Sequence, residues 1–137
     1  MNTQWDIADI MSQCDVGIFP SRAEGWGLEI LECMSMGLPV IATNCTGQTE
    51  FINDKNAFLV ETDELEPAVH RPWFYGQGNW HKLGQSQKEQ CIEYMKHLYK
   101  EKLDNGKLNN EEGILTSKVF SWHNSAINLI KGLGDCK

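Results

Sequence analysis

No apolar run in this 137-residue sequence approaches the ~20 residues that a membrane-crossing helix needs, and the N-terminus has no signal-peptide hydrophobic core. A chain of the cytoplasm with no transmembrane segment is therefore expected. Basic residues are scarce: 12 Lys and Arg stand against 19 Asp and Glu, a net charge of -7. Binding to a nucleic-acid backbone relies on a basic surface, so nucleic acid is set aside as a partner, and an anionic membrane is disfavoured. A small phosphorylated ligand stays allowed, because backbone amides bind phosphate without net positive charge. Paired cysteines are missing too. Cys14, Cys33, Cys45, Cys91 and Cys136 are odd in number, widely spaced and free of any CxxC pair, which points away from a zinc site or a disulfide framework. Buried free thiols in a reducing compartment are expected. His70, His81, His97 and His123 have neither metal-ligand spacing nor an evident carboxylate orienter, so none is assigned to catalysis. Internal repeats and low-complexity tracts are also absent.

The sequence is long enough for one domain with a real core, and its 41% hydrophobic and 23% charged residues suit an ordinary soluble globular protein. Ile7, Ile10 and Met11 have helical spacing, and the run VGIF at 16–19 reads as a buried strand ending at Pro20. A helix is predicted over Gly27 to Met36, with Ile30, Leu31 and Met34 on its apolar side and Gly37 as its stop. Pro39 opens a second strand, VIAT at 40–43, and AFLV at 57–60 supplies a third after the turn-like NDKN. Strand, helix, strand with short links is a right-handed parallel βαβ unit. The fold class is α/β: a Rossmann-like parallel sheet flanked by helices. One domain over 1–137 is expected, with a βαβ core to about residue 63. Residues 64–84 mix aromatics, glycine and proline without clear periodicity and read as a long loop. C-terminal helices follow over 85–137: one through Cys91, Met95, Leu98 and Lys102, and a last one from Ser121 to Lys131. Ser121 would cap that last helix, with Ala126, Ile127 and Ile130 inward.

The segment PSRAEGWGLEILECMSMGLPVIATNCTGQTE, Pro20 to Glu50, concentrates the chemistry. Gly25 and Gly27 bracket Trp26 just before the helix, where backbone can approach a ligand closely and first-turn N–H groups lack intrahelical partners. A diphosphate there would also meet the positive end of the helix dipole. A plain strand-to-helix turn uses the same glycines, so these alone decide little. Two carboxylates add to the pattern: Glu24 before the helix and Glu32 inside it, ~7–8 Å along the axis from Gly27. Ionised carboxylates accept paired hydroxyl donors from a sugar diol, so a ligand could lie across the helix start with phosphates central and a sugar ring on each side. Simple solvation would equally explain each glutamate, and Glu29 is assigned to dipole compensation.

The ordered run PSRAEGWGL, EILECMSMGLPV strongly resembles the donor-binding signature of the retaining GT-B glycosyltransferases of family 4, the glycosyl transferases group 1 family. Trp26 stands where that pattern usually has Phe, and Cys33 where it usually has Ala. TGQTEFI at 46–52 resembles the family's Gly-Gly-x-x-Glu loop, with Thr46 in place of the first glycine. The resemblance implies that Glu24 contacts the transferred sugar near the reacting carbon and is the catalytic residue. It implies that Glu32 grips ribose hydroxyls, and that backbone around Gly27 and Leu28 receives the diphosphate. Gly25, Trp26, Gly47 and Glu50 complete the implied donor site, although Glu50 could serve only to stabilise its loop. NAFLV and FSWHNSA extend the likeness faintly, and Trp122 is read as a packing residue rather than a ligand contact.

By this resemblance the chain is a partial C-terminal domain of a GT-B fold. Its substrate would be a nucleotide-diphosphate sugar, with no cofactor and no metal ion. The family's acceptor domain and the early donor-domain strands, with their basic residues, have no counterpart here. Arg22, Arg71 and nearby lysines do not match the family's basic position. The chain is thus a fragment of a longer product, a subunit completed by an acceptor-domain chain or a second copy of itself, or a reduced stand-alone domain. The competing readings are a non-catalytic nucleotide-sugar-binding or partner-docking module, and a βαβ domain with another small-molecule role.

Overall fold

The computed structural model of the protein describes residues 4–134. Its centre is a three-stranded, wholly parallel sheet of β1 (Gly17–Phe19), β2 (Val40–Thr43) and β3 (Phe58–Val60), in that spatial order. Gly17 pairs with Val40 and Ile41 with Phe58, so the three strands run in step. Strand β2 lies between the other two and is buried along its whole length, which is why VIAT reads as a continuous apolar run rather than an alternating one. Helices flank the sheet: the architecture is α/β, a partial Rossmann-like domain. α1 (Gln4–Ser12) precedes β1, and α2 (Leu28–Ser35) makes the crossover between β1 and β2.

α2 buries Ile30, Leu31, Cys33 and Met34 against Val40, Ala42, Phe51 and Ile52. It ends in a paired turn in which Gly37 N–H donates to Met34 O at 2.9 Å and Leu38 N–H to Cys33 O at 3.1 Å. β2 passes to β3 through a 3-10 turn at Thr46–Glu50. The opposite sheet face is covered by α3 (Gln85–Asn105), whose Leu98 is buried with Ile41 and Val60 and whose Tyr94 hydroxyl donates to Leu59 O at 3.0 Å.

The stretch 64–84 is not a loop. It forms an antiparallel hairpin of β4 (Leu65–His70) and β5 (Phe74–His81). The alternation that signals a half-buried strand is missing because both faces are largely solvated; Ala68 is the buried residue of β4. A helix not anticipated from the sequence, α4 (Glu111–Val119), packs along α2. Asn110 caps it: its Oδ1 accepts from Gly113 N–H at 2.8 Å while its Nδ2 donates to Asn56 O at 2.9 Å and Leu38 O at 3.2 Å.

α5 (Trp122–Gly134) forms where expected, and Ser121 Oγ accepts from Asn124 N–H at 3.3 Å. Its packing differs from the expectation, for it buries no residue: Ala126 is exposed, and Ile127 and Ile130 are 36% and 69% exposed. Trp122, read as a packing residue, is 79% exposed. Helical periodicity shows that an apolar stripe exists, not that this chain holds what the stripe covers. Of the thiols, Cys33 and Cys45 are buried and Cys91 half-buried, but Cys14 is exposed; Cys136 lies outside the described residues.

Candidate functional site

The two loops at the C-terminal ends of β1 and β2 meet backbone to backbone. Glu24 N–H donates to Thr46 Oγ1 at 2.8 Å, and Gly47 N–H donates to Glu24 O at 3.0 Å. Both peptide groups of Glu24 are thus clamped by the 46–47 turn. The contact leaves no room for a side chain at Gly47, where a Cβ would lie 2.1 Å from Gly25 O. Thr46 departs from the expected glycine and keeps the backbone that glycine would have, with φ at 54°. A β-branched residue there costs on the order of 1–3 kcal/mol of strain, which its hydroxyl partly offsets by capping Glu24.

The Glu24 side chain is half-buried and accepts from Ser21 Oγ at 3.2 Å. Ser21 is in turn fixed through its carbonyl, which accepts from Thr43 Oγ1 at 2.5 Å and from Cys45 Sγ at 3.6 Å. Gln48, which the sequence reading did not single out, is fully buried beneath these loops. It donates through Nε2 to Thr43 O and to Thr43 Oγ1, the latter at 3.2 Å. Its Oε1 is buried without a partner and would lie 3.5 Å from a Cβ on Gly27. Nothing in the polar run TGQTE marked it, since its burial follows from the fold.

Gly27 is the N-cap of α2, in the left-handed conformation with φ 82° and ψ 59°. It brings no side-chain acceptor to the first turn, where Ile30 N–H instead donates to Gly27 O at 3.1 Å. Trp26 is held by an aromatic trio, with ring centroids 5.4 Å from Phe51 and 5.7 Å from Phe120, and keeps 37% of its surface exposed. The trio ties the signature loop to the junction between α4 and α5. The faint FSWHNSA likeness therefore has a physical counterpart in Phe120 rather than in Trp122.

Two cavities include residues of the signature segment. One, of about 570 Å³, is lined by Trp26, Leu28, Leu31, Glu32, Phe120 and Trp122 among others. The other, of about 520 Å³, lies between residues 21–24, Glu24 included, and the hairpin. Glu24 and Glu32 thus line separate cavities. Glu50 ends the 3-10 turn, is exposed and lines neither cavity. No group of three or more His, Cys, Asp or Glu suited to hold a metal ion occurs among the described residues. None of the described helices is long and apolar enough to cross a membrane.

The model of the family described as glycosyl transferases group 1 matches residues 2–71, just over half of the chain. The chain belongs to the glycosyl transferases group 1 family. Glycogen [starch] synthase isoform 2 of Saccharomyces cerevisiae is 30% identical over 95 residues, covering 69% of this chain and 12% of that protein. Isoform 1 of the same organism is 38% identical over 61 residues, 44% of this chain and 8% of that protein. An Escherichia coli UDP-Gal:alpha-D-GlcNAc-diphosphoundecaprenol alpha-1,3-galactosyltransferase is 36% identical over 66 residues, 47% of this chain and 17% of that protein. The chain spans less than a quarter of the length of these curated relatives. The family match takes in the sheet, the clamped loops and both glutamates of this group 1 member, and stops at the turn between β4 and β5.

Proposed function

We propose that this group 1 chain is the donor-binding part of a GT-B glycosyltransferase and holds a nucleotide-diphosphate sugar for transfer with retention at the anomeric carbon. The observation that carries this reading is the clamped 24–27 loop, which leads Glu24 into a helix start without a side-chain cap, while Glu24 and Glu32 line separate cavities. In this reading the diphosphate lies over the amides of Gly27 and Leu28, where the helix dipole favours negative charge. Glu32 accepts from the ribose hydroxyls, and Trp26 and Leu28 form the apolar side of the nucleotide cavity. Glu24 accepts from hydroxyls of the transferred sugar close to the reacting carbon, its carboxylate held in place by Ser21. Gly47 lets the second loop close on the Gly25 carbonyl, and Glu50 supports the second loop.

As the bond from the anomeric carbon to the diphosphate oxygen breaks, preorganised amides stabilise the charge that develops there, so the reading calls for no metal ion. An acceptor hydroxyl oxygen bonds to the same carbon, and its proton leaves with the diphosphate. The acceptor is supplied by an acceptor-binding domain, or by a second copy of the chain, and the protein works in the cytoplasm.

Calorimetric titration with UDP, GDP, ADP and their sugar conjugates tests the reading. Saturable binding of one nucleotide, weakened at least tenfold by Glu32→Ala, is expected. A folded chain that binds none of them refutes it. A second reading, a non-catalytic nucleotide-sugar-binding or partner-docking module, draws support from the exposed apolar face of α5. Transfer detected once an acceptor-domain chain is supplied favours the enzyme, and binding without turnover under every pairing favours the module.

A further inference from the structure

The hairpin presents its tip to solvent from a fixed base. His81 N–H donates to Arg22 O at 2.9 Å, and Arg22 Nε donates to His81 O at 3.1 Å. Beside them, Thr62 Oγ1 donates to Lys82 O at 3.0 Å and Lys82 N–H to Glu64 O at 2.8 Å. A separate two-stranded hairpin is marginal in water, and these ties hold the base of this one to the domain. Towards the tip the support stops: residues 69–79 are exposed without interruption. That stretch carries Val69, Trp73, Phe74 and Tyr75, of which Trp73 is 74% and Tyr75 61% exposed. Large apolar side chains gathered on one exposed turn mark an interaction surface.

The apolar groups are not gathered on one side. Val69 pairs with Tyr75 and His70 with Phe74, and paired residues share a face of the ladder while successive ones alternate. Tyr75 and Phe74 therefore lie on opposite faces. Phe74 meets the Trp80 ring edge-on at 5.8 Å, on the side where Arg22 lies over Trp80. A protein partner, or a second copy of the chain, docks on one face and leaves the other wet. A lipid phase surrounds the tip and covers both.

Charge and backbone point the same way. In a chain with 19 Asp and Glu, none occurs between Glu66 and Glu89, so immersing the tip dehydrates no carboxylate. Arg71 has no carboxylate paired with it among the described residues, and its guanidinium lies 5.5 Å from the centre of the Tyr75 ring. It is a free cation next to the rings, where a headgroup phosphate would stand. Trp73 N–H donates to His70 O at 3.0 Å and Tyr75 N–H to Gln77 Oε1 at 2.7 Å, while Pro72 has no N–H to satisfy. The tip thus leaves water with these amides already bonded. Trp and Tyr, apolar rings with one polar edge, settle at the boundary between acyl chains and headgroups.

We propose that the hairpin tip, Val69 to Tyr75, inserts into the interfacial layer of a phospholipid bilayer, with Trp73, Phe74 and Tyr75 against the outer acyl segments and Arg71 on headgroup phosphate. The net charge of -7 disfavours an anionic surface, so the rings drive this binding and the charge of the lipid does not. No step of the argument uses the donor site, and the proposal stands independently of the nucleotide-sugar reading.

The test is co-sedimentation of the chain with phosphatidylcholine vesicles, with and without phosphatidylglycerol. Binding to phosphatidylcholine is expected, and the anionic lipid should change it by less than about threefold. Trp73→Ala should weaken partitioning about tenfold, the scale of half-burying such a ring, and Tyr75→Ser about threefold. Ile130→Ser, on the exposed apolar face of α5, should leave it unchanged. Vesicles with brominated acyl chains should quench the tryptophan emission of the parent. Trp73→Phe keeps an apolar ring, so it should bind within about threefold of the parent yet lose most of that quenching. All these positions are exposed and the variants should fold, which circular dichroism checks. A folded chain that sediments with neither vesicle overturns the proposal. So does binding that Trp73→Ala retains, quenching that Trp73→Phe retains, or binding that requires phosphatidylglycerol. Self-association lost in Trp73→Ala, without vesicle binding, would assign the tip to a second copy and equally overturn it.

Discussion

Adding one methyl group at Gly47 should separate the two loops that frame the site. An alanine Cβ there would lie 2.1 Å from Gly25 O, 2.6 Å from Gly25 C and 3.1 Å from Glu24 O. All three are backbone atoms, so no side chain can swing aside. The loops must part, which breaks the bonds from Gly47 N–H to Glu24 O and from Glu24 N–H to Thr46 Oγ1. At about 1 kcal/mol for each lost bond, plus about 1–3 kcal/mol for the overpacking, the closed arrangement loses roughly 3–5 kcal/mol. The loops open before the sheet unfolds, because the buried core of Ile30, Met34 and Val40 does not touch the added methyl. Urea unfolding should therefore show a smaller loss than this, about 1–2 kcal/mol, while nucleotide affinity falls more than tenfold. Gly25→Ala is the contrast: its Cβ meets nothing within 4 Å, so stability should stay within about 0.5 kcal/mol of the parent. Gly47→Ala that unfolds and binds nucleotide like the parent would refute the argument.

Asn110→Ala removes the cap of α4 and the two bonds that tie it to Leu38 and Asn56, and should cost about 2–3 kcal/mol in urea unfolding. A loss below about 1 kcal/mol would show that α4 is held by its apolar face on α2 instead. Burial, aided by the nearby charges of Cys14, Glu32 and Glu29, pushes the Cys33 thiol up from 9.0 to about 11. The unfolded chain therefore loses this proton first, so the associated stability is intact below pH 9 and falls as pH rises towards 11. The fall attributable to Cys33 is about 2–3 kcal/mol, read as the difference between the parent and Cys33→Ala in alkaline unfolding titrations.

The sheet and the signature loop were legible because their signals are local. VIAT is a continuous apolar run because both sides of β2 are covered, and Ile30, Leu31 and Met34 recur at helical spacing because α2 lies on that strand. The order of Glu24, Gly27 and Glu32 likewise placed the helix start between two carboxylates. Three features were not legible. The hairpin lacks alternation because solvent reaches both its faces, and α4 is fixed by Asn110 reaching back 54 and 72 residues in sequence to Asn56 and Leu38. The inward face assigned to α5 is outward within this chain.

By itself, then, the sequence determined the parallel βαβ core, the family signature and the two glutamates, since periodicity and loop chemistry act between near neighbours. Only the tertiary structure decided that Thr46 and Gly47 clamp Glu24, that Trp26 is shared with Phe51 and Phe120, and that the hairpin closes a second cavity over Glu24. The physical reason is contact across sequence distance. The Arg22 to His81 bonds span 59 residues, and no local pattern shows which backbone groups will meet once the sheet has formed.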